Sequence, residues 1–229
     1  MTDKKIIDKK ISEDSRPIAY EENGISIYRA SAIGGCLRSL VASRLGYQPL
    51  APPEYLKKAA QAGKVIEGEV VKALEKENYK VLAKQKEFNL PVSGAIIRGH
   101  IDGKILEMPI LNILEIKSMS EKQFSLWKKH GFRQFPKYAA QICVYMLSFN
   151  LPAVYIVVPR NEWALDVKDL DIRRVNFPLP FSPRLLFEKI VKAEVYVRKE
   201  QLPEREKGET CDYELYHNCS FQYLCQGKY

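Results

Sequence analysis

The chain has 229 residues, 46% of them apolar and 28% charged, the composition of an ordinary globule with enough length for a sizeable core. No apolar run approaches the roughly 20 residues of a membrane helix, and the polar start MTDKKIIDKKISEDSR lacks the apolar segment of a secretory signal, so no membrane role and a cytoplasmic location are expected. Thirty-six Lys and Arg against 28 Asp and Glu give a net charge of +8, which suits a polyanionic partner without requiring one.

In chain order, residues 1–28 are polar and charged and are expected as an arm or a short edge element. Ser31–Tyr47 has the pattern of a helix, with Ser31 at its N-cap. The prolines of APPEY (Ala51–Tyr55) break the chain and start a second helix, Glu54–Tyr79, whose apolar stripe is Ile66, Val70 and Leu74. Strands are expected over Lys80–Leu90, Ala95–Glu107 and Ile110–Ser118, the last two joined by a turn at Met108–Pro109. Helices follow over Glu121–His130 and Phe135–Phe149, then a buried β-branched strand, Ala153–Pro159. Edge strands over Trp163–Val167 and Ile172–Phe177 and a helix over Ser182–Glu200 complete the list. This order predicts one α/β domain over residues 29–229, with a mixed central sheet flanked by helices. Its core spans 54–200, and a cysteine-bearing tail occupies 208–229.

The stretch GHIDGKILEMPILNILEIKSMS (Gly99–Ser120) puts acids where a buried hairpin would not want them. Residues i and i+2 of a strand share a face, so Glu115 and Lys117 project together while Ile116 turns the other way. An antiparallel neighbour can bring Asp102 alongside. Two carboxylates and a backbone carbonyl make an oxygen site of the kind Mg²⁺ or Mn²⁺ takes, and a nearby lysine can orient water or offset phosphoryl charge. An ion pair at a sheet end accounts for a lone Glu-x-Lys triplet equally well.

Here the triplet has company. Glu67 follows Gly63 on the preceding helix, and Gln141 and Tyr145 stand one turn apart on a later one. In this ordered set the chain resembles the PD-(D/E)XK nuclease superfamily in its RecB-like branch. Gly63 and Glu67 match the G-x-x-x-(H/E) motif, Gly99 and Asp102 the G-x-x-D motif. Glu115 and Lys117 match (D/E)-x-K, and Gln141 and Tyr145 match Q-x-x-x-Y. The resemblance implies a restriction-endonuclease-like core and a metal-dependent deoxyribonuclease, most readily an exonuclease on DNA ends or single strands. It implies Asp102, Glu115, Glu67 and the Ile116 carbonyl as ligands of Mg²⁺ or Mn²⁺, with Glu69 a nearby competitor for the helix position. Lys117 would be the catalytic lysine, and Gln141 and Tyr145 would contact DNA or brace the site.

The five cysteines are odd in number and the chain has no export signal, which leaves buried thiols or metal ligands. Cys36 lies far from Cys211, Cys219 and Cys225. One N-terminal and three C-terminal cysteines resemble the iron–sulfur members of the branch, the CRISPR-associated Cas-four-type exonucleases and their phage-encoded relatives. That likeness implies a [4Fe–4S] cluster fastening the N-terminal helix to the C-terminal tail. The wide gap between Cys211 and Cys219 departs from the CRISPR-associated pattern and is more like the phage type, for which the host cytoplasm is the expected location. Zn²⁺ is the alternative, with His217 as a spare ligand. Cys143 fits a small buried residue.

Further candidates are His100, on the strand of Asp102, and Arg38, two residues after Cys36, for contact with DNA. Lys122, Lys128, Lys129, Arg133 and Lys137 form a basic run, interleaved with Phe124, Trp127, Phe132, Phe135 and Tyr138. Helical spacing makes most of these rings core, with one or two left for base stacking. A homo-oligomer and a recombination-type or CRISPR-type protein partner are compatible with the resemblance. So is a non-catalytic DNA-binding subunit, although an intact Asp102, Glu115 and Lys117 argue against it.

Overall fold

The computed structural model describes residues 17–160, 167, 170–176, 181–206, 211 and 219–225. Its strands form two mixed sheets. One has the order β1-β2-β5-β4, made of Ala19–Glu22, Ile25–Arg29, Ala95–Ile101 and Lys86–Val92. The other has the order β3-β6-β7-β8-β9, made of Lys80–Leu82, Gly103–Glu107, Ile110–Met119, Ala153–Pro159 and Asp171–Val175. The parallel pairs are β2 with β5 and β7 with β8, and the other pairings are antiparallel.

The strand expected to run unbroken over Ala95–Glu107 is interrupted at Asp102. Before it the chain pairs with β4 in the first sheet; after it the chain pairs with β7 in the second. Asp102 is therefore the point where one strand leaves a sheet and enters another, which also divides the single sheet expected from sequence.

Five helices flank the sheets among the described residues: α1 (Leu37–Arg44), α2 (Glu54–Lys76), α3 (Glu121–His130), α4 (Pro136–Phe149) and α5 (Pro183–Arg198). The apolar stripe of α2 packs on Leu114 and Ile116 of β7 and on Val154 and Ile156 of β8. The opposite face of β7 and β8, carrying Ile113, Met119, Tyr155 and Val157, joins the first sheet and α4 in the larger core. Every residue of β8 is buried, as a strand covered on both faces requires. α3 opens on a capping box in which Ser120 and Gln123 satisfy each other's backbone N–H groups. Among the described residues no helix is long and apolar enough to cross a membrane.

The N-terminal region differs from expectation in two ways. Within residues 1–28, expected as an arm or a short edge element, β1 is an edge strand but most of β2 lies inside the sheet, and Ile27 and Tyr28 are core residues. The helix expected from Ser31 begins only at Leu37, with Cys36 at the N-cap. A Cβ at Gly34 would stand 2.6 Å from the Lys137 Cα, so the segment before α1 lies flat on α4. The Trp163–Val167 strand and His217 fall outside the described residues, except that Val167 itself lies in a 3₁₀ turn.

Candidate active site

The site gathers where β5 turns into β6. Gly99 makes the turn possible from below, because a Cβ there would meet the Ala30 Cβ at 2.8 Å and the Phe88 ring at 3.0 Å. Three residues on, the Asp102 carboxylate accepts the Ile116 N–H at 2.7 Å, which fastens the strand switch to the middle of β7. Within β7, Glu115 and Lys117 lie on the larger-core face while Ile116 packs under α2, as strand alternation dictates. Glu115 is 1% exposed, and its Oε1 stands 2.5 Å from the Lys117 Nζ. The contact is a close ion pair, and among the described residues neither Glu115 oxygen has a donor that meets hydrogen-bond angles.

Glu67 reaches the same place from α2. Gly63, one turn earlier, lets the helix approach the end of β7, since a Cβ there would sit 3.3 Å from the Ser118 Oγ. The Glu67 carboxylate accepts the Gln85 side-chain amide at 2.7 Å, and the backbone N–H of Gln85 donates to the Asp102 carbonyl at 3.3 Å. Gln85 was not singled out from sequence. It occupies a loop position with φ of 54°, where the backbone signal marks a turn and no side-chain role.

Three acids share one ammonium. Burial pushes the Glu115 carboxyl up to about 8; Lys117 pulls it down, and Asp102 and Glu67 push it up further. Burial also raises Asp102, offset in part by Lys117 and the Ile116 N–H. Glu67 is raised by burial and by the charge of Asp102. For Lys117, burial works downward, but Glu115 and Asp102 outweigh it and hold the ammonium above the ordinary lysine value. Fully ionised, Glu67, Asp102, Glu115 and Lys117 would carry two net negative charges, the charge that one divalent cation offsets.

The donor chemistry fits a hard cation: buried carboxylate oxygens, with Glu115 lacking aligned donors of its own. As the side chains are placed, no group of three or more His, Cys, Asp or Glu among the described residues could hold a metal ion. Glu67, Asp102 and Glu115, the acids expected as ligands, converge electrostatically on one another and on Lys117. Each acid is turned to a separate donor, Gln85, Ile116 N–H and Lys117 respectively.

Gln141 and Tyr145 pair on one face of α4, the amide donating to the phenol oxygen at 2.6 Å in a buried contact. Burial and then the charge of Glu115 raise the Tyr145 phenol, which places it in the field of the acids. Tyr155 is a second residue missed from sequence. It pairs in register with Glu115, it is 1% exposed, and its hydroxyl has no hydrogen-bond partner among the described residues. Inside AVYIVVP it reads as one more core residue. Of the interleaved rings, Trp127 and Phe135 are core, and Tyr138 lies 5.9 Å from the Lys117 Nζ.

Two expected DNA-contacting residues are placed elsewhere. Arg38 turns inward, its guanidinium donating to the Pro203 carbonyl and, at 2.8 Å, to the Leu224 carbonyl. Two backbone acceptors at the chain's end hold it where a phosphate was expected. His100 is exposed on the outer face of the first sheet, 3.5 Å from Glu87, because the strand switch at Asp102 ends the shared face assumed from spacing.

Cys36, Cys211, Cys219 and Cys225 line one cavity of about 40 Å³ together with Arg38, Ser39, Arg205 and Glu206. None of these four is in a disulfide among the described residues, and burial pushes the Cys36 thiol up to about 11. Four thiols around one cavity fit a thiophilic metal or cluster in donor type. Cys143 is fully buried in α4, away from this cavity.

No protein-family model matches the sequence, and no curated protein matches it. Solved structures do match in fold. LHK-Exo in complex with dAMP superposes with a TM-score of 0.53 at 14% identity, over 75% of this chain and 90% of that one. The alkaline exonuclease LHK-Exo from Laribacter hongkongensis gives 0.49 at 15% identity over 75% and 86%. SSO0001 gives 0.49 at 18% identity over 91% and 89%. With its two mixed sheets and flanking helices, this chain shares the fold of LHK-Exo.

Proposed function

We propose that the chain is a metal-dependent deoxyribonuclease, an exonuclease hydrolysing phosphodiesters at DNA ends or in single strands. The observation that carries this reading is the buried Glu115–Lys117 pair beside Asp102, at a strand switch that Glu67 reaches from α2. The dAMP complex of LHK-Exo supports a deoxynucleotide substrate for the shared fold.

In this reading Asp102, Glu115 and the Ile116 carbonyl hold Mg²⁺ or Mn²⁺, and Glu67 completes the oxygen set. A divalent cation there supplies Lewis acidity to the phosphoryl group and acidifies water. Lys117, kept charged by its two acids, orients the attacking water or offsets charge on a phosphoryl oxygen. The Tyr145 oxygen receives the Gln141 amide, which leaves its own proton free to donate toward the Glu115–Lys117 pair. Lys122, Lys128, Lys129 and Arg133, all exposed, supply a phosphate-attracting surface beside the site.

The four cysteines hold a [4Fe–4S] cluster in the same reading, joining α1 to the C-terminal tail of a single nuclease domain. A group of that kind supplies a rigid cross-link between chain ends. End-labelled single- and double-stranded DNA digested with Mg²⁺, Mn²⁺ or EDTA tests the activity. Cleavage with a divalent cation and none with EDTA is the expected result; inactivity with every metal overturns it. Anaerobically purified protein should contain iron and sulfide, and colourless protein with stoichiometric zinc would replace the cluster by Zn²⁺.

A further inference from the structure

The cysteine cavity is lined by more than sulfur. Glu206 sits in its wall, with Oε1 accepting the Leu37 N–H at 2.7 Å and Oε2 buried without a partner among the described residues. Leu37 is the first residue of α1, so this carboxylate satisfies one of the free N–H groups that open the helix. The next two N–H groups, of Arg38 and Ser39, reach the sulfur of Cys36. Ser39, 4% exposed, also sets its hydroxyl 3.7 Å from the Cys219 sulfur. One wall of the cavity thus presents N–H groups to Cys36 and a hydroxyl that can donate to a Cys219 thiolate, and another presents a carboxylate oxygen with no partner among the described residues.

We infer that Ser39 and Glu206 are opposing positioning residues of the cysteine site, Ser39 stabilising negative charge on the sulfurs and Glu206 opposing it. The inference rests on the cluster reading above. A [4Fe–4S] group with four thiolates gains one negative charge on one-electron reduction. Hydrogen bonds to its sulfurs favour the reduced form, and a neighbouring carboxylate disfavours it. The two side chains therefore act with opposite sign on the same equilibrium. A merely structural role for either would give no such opposition.

The test is a dithionite titration, followed by visible absorption and electron paramagnetic resonance, of anaerobically purified wild type, Ser39→Ala and Glu206→Gln. Glu206→Gln keeps an acceptor for the Leu37 N–H and removes the charge, so its midpoint potential should move positive. Ser39→Ala should move it negative, with iron and sulfide content unchanged in both. Loss of iron in Ser39→Ala that Ser39→Thr restores also supports the role of the hydroxyl, and loss in both overturns it. A wild-type cluster whose potential is unmoved in both variants, or moves the same way in both, overturns the inference alone. Wild-type protein without iron and sulfide overturns the cluster reading and the inference with it.

Discussion

The carboxylate site and the cysteine cavity are built in opposite ways. Asp102, Glu115 and Lys117 lie within sixteen residues of sequence, on strands whose register in the sheet sets their spacing. The cysteines come from residue 36 and from residues 211–225, and line one cavity where Arg38, Glu206 and the packing of Ala42 on Phe221 and Leu224 join α1 to the later chain. Oxygen donors sit on rigid elements whose backbone hydrogen bonds are made whether or not a cation is held. The proposed sulfur donors lie outside the strands and helix interiors among the described residues, with Cys36 at the N-cap of α1, so a group held there would supply part of the local order. Chemistry placed on the sheet should therefore survive loss of the clasp, while the clasp should fail without touching the sheet.

That contrast can be broken outright by a pair of variants. Asp102→Ala should lower DNA hydrolysis by a factor on the order of 100 or more, since it removes a carboxylate proposed to hold the cation. Cys36→Ser should lower thermal stability with a far smaller effect on turnover of a short substrate. Equal losses of turnover in the two variants would show that the sites are not separable.

Next in size is the response to a strong chelator. Hydrogen exchange should speed up in α1 and in residues 201–206, with β7 and β8 still protected. Faster exchange in β7 would mean that the clasp holds the sheet together.

A third measurement concerns charge. The folded-state carboxyl of Glu115 is raised to about 8 from an ordinary 4.5, so the unfolded chain releases that proton first. In chelator, stability should therefore fall as pH rises from about 4.5 to about 8. Glu115→Gln should flatten that slope in urea melts, and an unchanged slope would remove Glu115 as its source.

The smallest effect belongs to Tyr145→Phe. It leaves the buried Gln141 amide without its acceptor and should cost about 1 kcal/mol, read from the urea midpoint. A cost near zero would mean that the pair braces nothing.

Much of the scaffold was legible because local signals and tertiary packing agree. Glu121–His130 opens on a capping box, and Ala153–Pro159 is an unbroken β-branched run; both elements have the expected limits. The pairing of Glu115 with Lys117 followed from strand alternation alone. What sequence obscured was long-range. The strand through Asp102 looked continuous because nothing local marks a change of sheet, and His100 was misplaced for that reason. Arg38 looked like a phosphate grip because its acceptors are carbonyls more than 160 residues away. Tyr155 lay hidden in an apolar run, and Gln85 in a turn.

The central claim is that Lys117 acts on the phosphate and the acids hold the cation. The direct measurement is single-turnover digestion of end-labelled DNA by wild type and Lys117→Ala, with Mn²⁺ binding followed calorimetrically in both. The account predicts Mn²⁺ bound by both proteins and cleavage lost only in Lys117→Ala. Cleavage by Lys117→Ala at the wild-type rate would contradict it.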